Sequence, residues 1–176
     1  SYLLKGDKKR AQLGFSEASK LNFDKKIKED ALYNYAMLTY ETSYSPFGEV
    51  IAAFQNYIDQ YPGSNRISEA YNYLVSTFLQ VKNYKSALTS LDKIRNKDSK
   101  LEEAYQKVAF FRGLELFKNL ELEPATDMFD KSLKYGSYNT GLRARAVYWK
   151  SEALYRLGRF EDAKAGYTEF MGIPGS

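Results

Sequence analysis

A register that recurs five times constrains this chain more than any other feature. Its small position reads Ala11, Val50, Ala87, Ala125 and Ala163, at steps of 39, 37, 38 and 38 residues. Four places later a large apolar residue follows each time: Phe15, Phe54, Leu91, Phe129 and Tyr167. Three places further on stand Ala18, Tyr57, Ile94, Ser132 and Phe170. Spacings of four and three put the members of each set on one face of a helix. Self-similarity at a fixed period of this length predicts a stack of repeated helical units.

The stretch between these helices is also helical in pattern. Tyr2–Leu4 reads as the last turn of a helix, Gly6-Asp7 as a turn, and Lys8 to about Asn22 as a helix. Ile27–Ser43 follows, then Ser45-Pro46 as N-cap and first helical residue. A helix over Phe47–Tyr61 is stopped by Pro62-Gly63-Ser64. Helices are then predicted over Arg66–Val81 and, after Asn83 as cap, over Tyr84–Asn96. Ser99 and Glu102 have capping-box spacing and open a helix to about Asn119. Pro124 sits in the first turn of a helix ending near Tyr135, Gly136 to Gly141 form a polar turn, and Ala146–Phe170 folds as two helices about Gly158. No stretch shows β alternation. The expectation is an all-α array: a partial repeat at 1–25 and repeats at about 27–63, 65–98, 99–137 and 139–173.

Composition narrows the chemistry. The 176 residues are 44% hydrophobic and 27% charged, which suits a folded chain. There is no Cys and no His. Disulfides, thiolate metal sites and Cys nucleophiles are therefore excluded, and so is the commonest general base near neutral pH. No cofactor, metal site or catalytic residue is expected, and the chain reads as a non-enzyme. Glu121, Glu123 and Asp127 cluster at a helix start, where the helix dipole accounts for them better than metal binding. Residues 1–28 carry a net charge of +5 against −1 for the rest. That end could meet an anionic partner. Without an aromatic RNP-type run it reads rather as a solvated helix face, and nucleic acid is not the expected partner. No apolar run is long enough to span a bilayer.

Gly158-Arg159-Phe160-Glu161-Asp162-Ala163, Asn83-Tyr84-Lys85-Ser86-Ala87, Gly113 at a small first-helix position and Pro62 at a repeat end together resemble the tetratricopeptide repeat (TPR) family over nearly the whole chain. The departures are the period, near 38 rather than about 34, and replaced positions such as Lys150. The resemblance implies a right-handed superhelical stack of antiparallel helix pairs, an α-solenoid with first helices on the concave face. Ala31 to Ala36 and Tyr57 to Ser64 resemble the bacterial envelope branch, which implies a periplasmic or outer-membrane-associated protein. Ser1 is not preceded by Met and no signal peptide is present, so the compartment is not read directly.

An open groove is a platform for an extended peptide or a partner helix. First-helix positions left over from packing predict its lining. They are Asn34, Leu38 and Glu41; Glu69, Asn72, Ser76 and Gln80; Lys107, Phe110, Leu114, Phe117 and Lys118; and Arg145, Tyr148, Glu152, Tyr155 and Arg156. Phe110, Phe117 and Tyr148 fit helix packing equally well, and Trp149 reads as core. Asn34 and Asn72 alone do not reproduce the carboxylate clamp of some family members. The function this implies is a scaffold or adaptor that binds a peptide segment or partner domain. The alternative is a glycan- or ligand-binding module of a bacterial cell-envelope system, because sixteen Tyr and one Trp could stack on sugars. The chain is further expected to be a piece of a longer array. Its ends would then carry exposed apolar residues, Phe170 and Met171 among them, and could self-associate.

Overall fold

The computed structural model describes residues 2–21, 24–42, 47–94 and 96–174. Among them are nine α-helices and one 3-10 turn, and no strand. The predicted N-cap pair Ser45-Pro46 lies outside the described residues. The chain divides between Lys82 and Asn83 into two compact units. The division falls inside the predicted repeat 65–98.

The first unit holds the turn Leu3–Lys5 and helices α1 (Lys8–Lys20), α2 (Lys25–Glu41), α3 (Phe47–Gln60) and α4 (Ile67–Gln80). Each packs on the next along the chain. Asp7 caps α1 by accepting from the Arg10 N–H, and Asp24 caps α2 by accepting from Lys26 and Ile27. The core is built on Phe54, Tyr57 and Leu74, all fully buried. Phe54 stacks on Tyr73 at 5.4 Å between centroids, with Tyr40 packed against both rings. The Pro62-Gly63-Ser64 stop is pinned to the start of α2. The Tyr57 hydroxyl reaches Glu29 Oε1 at 3.1 Å and Ser64 Oγ at 2.7 Å. Arg66 Nη1 donates to Asp30 Oδ1 at 2.6 Å, and its guanidinium lies 4.9 Å from the centre of the Tyr33 ring.

The second unit holds α5 (Tyr84–Asp92), α6 (Ser99–Lys118), α7 (Leu122–Lys134), α8 (Thr140–Arg156) and α9 (Phe160–Met171). Consecutive helices pack together, and α6 also touches α8. Two boundaries differ from the sequence expectation. Helix α5 stops at Asp92, not Asn96: the Ile94 N–H bonds back to Leu91 O, a tightened turn, and Lys97 Nζ takes Ile94 O. Helix α6 is capped by Asp98, whose carboxylate accepts from the Leu101 N–H, so Ser99 is the first helical residue and no Ser99 capping box forms. Phe110, Leu116, Phe117, Ala125, Phe129, Leu142, Ala146 and Ala153 form the larger core cluster.

The repeat register is visible in the packing. Ala11, Val50, Ala87, Ala125 and Ala163 are all buried. Gly113 is small because the α7 ring of Phe129 lies against it: a Cβ there would meet Phe129 Cε1 at 2.7 Å. The turn between the helices of a pair also repeats. Gly6, Lys82, Leu120 and Gly158, related by steps of 38 or its double, all have positive φ, between 56° and 77°. At Gly6, Leu120 and Gly158 the flanking bonds are the same. The left-handed residue bonds to the carbonyl three back, and the next residue to the carbonyl five back (Asp7 to Tyr2, Glu121 to Leu116, Arg159 to Leu154). At these three positions this is a Schellman cap, and at Lys82 the N–H bonds to Leu79 O, three back.

Candidate protein-interaction surface

The densest group of predicted site residues lies on α8, and the structure brings it together with side chains from α6 and α9. Glu152 is the hub. Its Oε1 accepts from Arg156 Nε at 3.2 Å and its Oε2 from the Tyr167 hydroxyl of α9 at 2.9 Å. The Arg156 guanidinium lies 4.5 Å from the centre of the Phe117 ring, at the end of α6, a cation–π contact. Phe117 meets Trp149 edge-on at 5.2 Å, and Trp149 meets Tyr148 at 5.4 Å. Tyr148 in turn contacts Tyr167 and Phe170 of α9. Tyr155 pairs with Phe160, the first residue of α9, at 5.3 Å. Arg145 is exposed on the same helix. The result is a half-wet surface of aromatic faces with an arginine held in place at its edge.

The other predicted residues fare differently. Phe110 offers no surface to a partner: it is 1% exposed, packed against Phe111 and Phe129. Phe117 is buried at 6%, with the Arg156 guanidinium over its ring. Leu114 is half-buried against the same core, while Lys107 and Lys118 are exposed. In the first unit, Leu38 is buried, and Asn34, Asn72 and Ser76 are half-buried. The Asn34 amide donates to Asp30 O of its own helix. Glu41 is exposed and pairs with Lys8 at 2.9 Å, and Glu69 and Gln80 are exposed. Of the end residues, Met171 is exposed. Phe170 is half-buried, because it packs on Tyr148 and on the cluster of Ala144, Val147 and Ile173.

Sequence reasoning missed the α9 contribution of Phe160 and Tyr167 to this surface. In the sequence Tyr167 reads only as the large apolar member of the repeat register. The signal was available: Glu152 and Tyr167 lie 15 residues apart, across one helical hairpin.

Each resolved ionisation shift falls on a tyrosine or on Arg66, and each is upward. Upward shifts keep tyrosines neutral, the reverse of an activated phenolate. Tyr167 is pushed up to about 12 by burial, aided by its hydrogen bond to Glu152 and that residue's charge. Among the described residues no group of three or more carboxylates could hold a metal ion. Glu121, Glu123 and Asp127 are exposed around the first turns of α7. The basic segment is partly neutralised locally, by Arg10–Asp7 and Lys20–Glu17 ion pairs as well as Lys8–Glu41. No helix is long and apolar enough to cross a membrane, among the described residues.

No family model matches the chain, and no curated protein matches it. Among solved structures, residues 41 to the end of MamA from Desulfovibrio magneticus RS-1 are 15% identical, with 99% of this chain and 92% of that chain covered and a TM-score of 0.48. TPR-like repeats of a putative kinesin light chain from Podosopora anserina are 10% identical, covering 98% and 89%, with a TM-score of 0.47. PlcR from Bacillus thuringiensis, in complex with the peptide PapR7 and DNA, is 14% identical, covering 98% and 66%, with a TM-score of 0.42. The hairpin packing, the small positions and the recurring left-handed turn make this chain an all-α series of helical hairpins, a fold of the kind the tetratricopeptide resemblance implies.

Proposed function

We propose that the chain is a non-enzymatic interaction scaffold, and that the α8 surface of Arg145, Tyr148, Glu152, Tyr155 and Arg156 is where it takes a peptide segment or partner domain. One observation carries this reading: the Tyr and Arg side chains on that surface are already oriented, by Glu152, Phe117 and Tyr167, while still reachable from solvent. Tyr and Arg combine contact area with a polar handle and dominate binding hot spots. Side chains held before binding lose less freedom on it.

The reading is tested by selecting binders from a displayed library of random peptides and measuring their affinity by fluorescence anisotropy. Arg156→Ala and Tyr155→Ala are each expected to weaken binding by about tenfold or more, the scale of a hot-spot residue. Lys85→Ala, at an exposed site on α5, is expected to leave it unchanged. Selected peptides indifferent to both α8 substitutions would refute the assignment.

A further inference from the structure

Helices α7, α8 and α9 frame a cavity of about 400 Å³. Its walls are α7 and α9, and the buried Val147, Ser151 and Leu154 of α8 lie between them. Walls and floor are thus all helices of this chain. Gly166 gives α9 its close approach to α8, because a Cβ there would meet Ser151 Oγ at 2.1 Å. No side chain fills the cavity from that position, where Met128 stands one period earlier.

The repeat register says which ion suits this cavity. Between α5 and α7, Lys131 Nζ lies 3.6 Å from Asp92 Oδ2 and bridges the two helices. That cation comes from α7 itself, not from the helix pair that follows it. Moving 38 residues along, Asp92 becomes Asp130 and Lys131 becomes Glu169. Two carboxylates therefore stand where the earlier groove has an ammonium on a carboxylate. Lys150 of α8 reaches Asp130 Oδ1 at 2.6 Å, Arg143 reaches Glu169 Oε1 at 3.2 Å, and Arg159 reaches Asp162 Oδ2 at 2.7 Å. Asp127, the remaining acid of the lining, has no ion pair among the described residues. Four carboxylates against these three cations leave one negative charge in excess. In each of the three pairs only one carboxylate oxygen is engaged, among the described residues.

The ligand's chemistry follows from this. An ammonium donates three hydrogen bonds and accepts none. Asp127, Asp130 Oδ2 and Glu169 Oε2 offer it acceptors. Among the described residues no group of three or more carboxylates could hold a metal ion, which favours a cation that brings its own length. Val147 and Leu154 suit an alkyl stem, since a lysine-type chain lays its methylenes on apolar surface while its head stays polar. We propose that this cavity binds a primary alkylammonium group, from a lysine side chain or a free alkylamine, with its head among Asp127, Asp130 and Glu169 and its stem on Val147 and Leu154. The site uses none of the residues of the α8 contact surface.

The probes are Nα-acetyl-lysine methylamide, n-butylamine and, as the uncharged match, Nα-acetyl-norleucine methylamide. Each is titrated into the intact nitrogen-15-labelled chain at neutral pH and low salt, and backbone amide shifts are followed. Saturable shifts on α7 and α9 are expected with both amines and not with the norleucine derivative. Tighter binding of the lysine derivative marks a protein side chain as the source, and tighter binding of butylamine a free amine. Asp127→Asn removes the excess charge, and Glu169→Lys restores the bridge of the earlier groove. Each should weaken amine binding by about tenfold or more. Both sites are exposed, and circular dichroism melts matching wild type would confirm that the variants fold. Absence of saturable shifts, equal binding of the norleucine derivative, or indifference to both substitutions would overturn the proposal. So would calcium chloride moving the same amides at lower concentration than either amine, since a metal ion would then be the occupant. Amine binding is read apart from the peptide selection, so either reading can fail alone.

Discussion

Leu120 is an L-residue held at φ 63°, in the turn where Gly158 serves one period later. The left-handed conformation costs a residue bearing a Cβ about 1–2 kcal/mol. Glycine avoids that cost but is freer in the unfolded chain, which offsets about 0.4–1 kcal/mol. At position 120, Ala→Gly should therefore stabilise the second unit by about 0.5–1 kcal/mol. Comparing alanine with glycine removes the Leu side chain from the question. That side chain is 72% exposed, and its loss should itself cost only about 0.6 kcal/mol, roughly a quarter of full burial of a leucine. The control site is Glu103, exposed within α6. There Ala→Gly should destabilise by about 1 kcal/mol, the ordinary helix-interior penalty. The opposite signs make a swing of about 1.5–2 kcal/mol between two sites on one hairpin. The assay is equilibrium unfolding in guanidinium chloride followed by the fluorescence of Trp149, the single tryptophan, which packs against Phe117 in this unit. If Leu120→Gly is less stable than Leu120→Ala, the left-handed turn is not the recurring device inferred from Gly6, Lys82, Leu120 and Gly158.

Two further outcomes follow from the same packing. Gly113→Ala should destabilise by about 1 kcal/mol: overpacking against the buried Phe129 ring costs about 1–3 kcal/mol, partly offset by about 1 kcal/mol of helix propensity. In a Phe129→Ala background the same change should turn stabilising, and denaturant melts of the four proteins check the sign reversal. The Tyr167 hydroxyl, held up to about 12 against an unfolded value near 10, contributes stability fully present below pH about 10 and lost as pH rises through its folded pKa. Absorbance at 295 nm should resolve its ionisation as a late step, and Glu152→Gln should bring it earlier by removing a charge that opposes the phenolate.

The inner stripe of each helix pair was legible from spacing alone. Periodicity fixes which residues share a face, and the five small positions are buried as read. What spacing does not encode is which neighbour covers a face. Phe110, Leu114 and Phe117 occupy the same positions on α6 as Tyr148, Glu152 and Tyr155 on α8. One set is largely covered and the other mostly open only because α8 lies over the first. Phe110, which spacing allows equally in groove and in core, is core for that reason. The left-handed turns were legible where glycine marked them, at Gly6 and Gly158. They are hidden at Lys82 and Leu120, which carry ordinary side chains; at Leu120 the hydrogen bonds of the Schellman cap hold the conformation. The end of α5 is hidden in the sequence because Ile94 keeps the apolar register while its backbone has already left the helix.

Two cationic features are candidates for the contact surface, and they differ in preorganisation. The segment of residues 1–28 carries more charge, yet its cations are spread over a turn and two helices. Lys8, Arg10 and Lys20 face carboxylates in high-dielectric surroundings, where such pairs are worth at most about 1 kcal/mol. They would have to exchange those partners for new ones and gain little. Arg156 differs because one face of its guanidinium lies on Phe117 and one of its N–H groups is fixed by Glu152. Its remaining donors keep a defined direction. A carbonyl or carboxylate arriving there meets a donor already aimed and aromatic surface beside it, so the ordering cost is small and the contact is directional. Charge alone attracts without specifying. The proposed α8 surface would do both, with fewer cations.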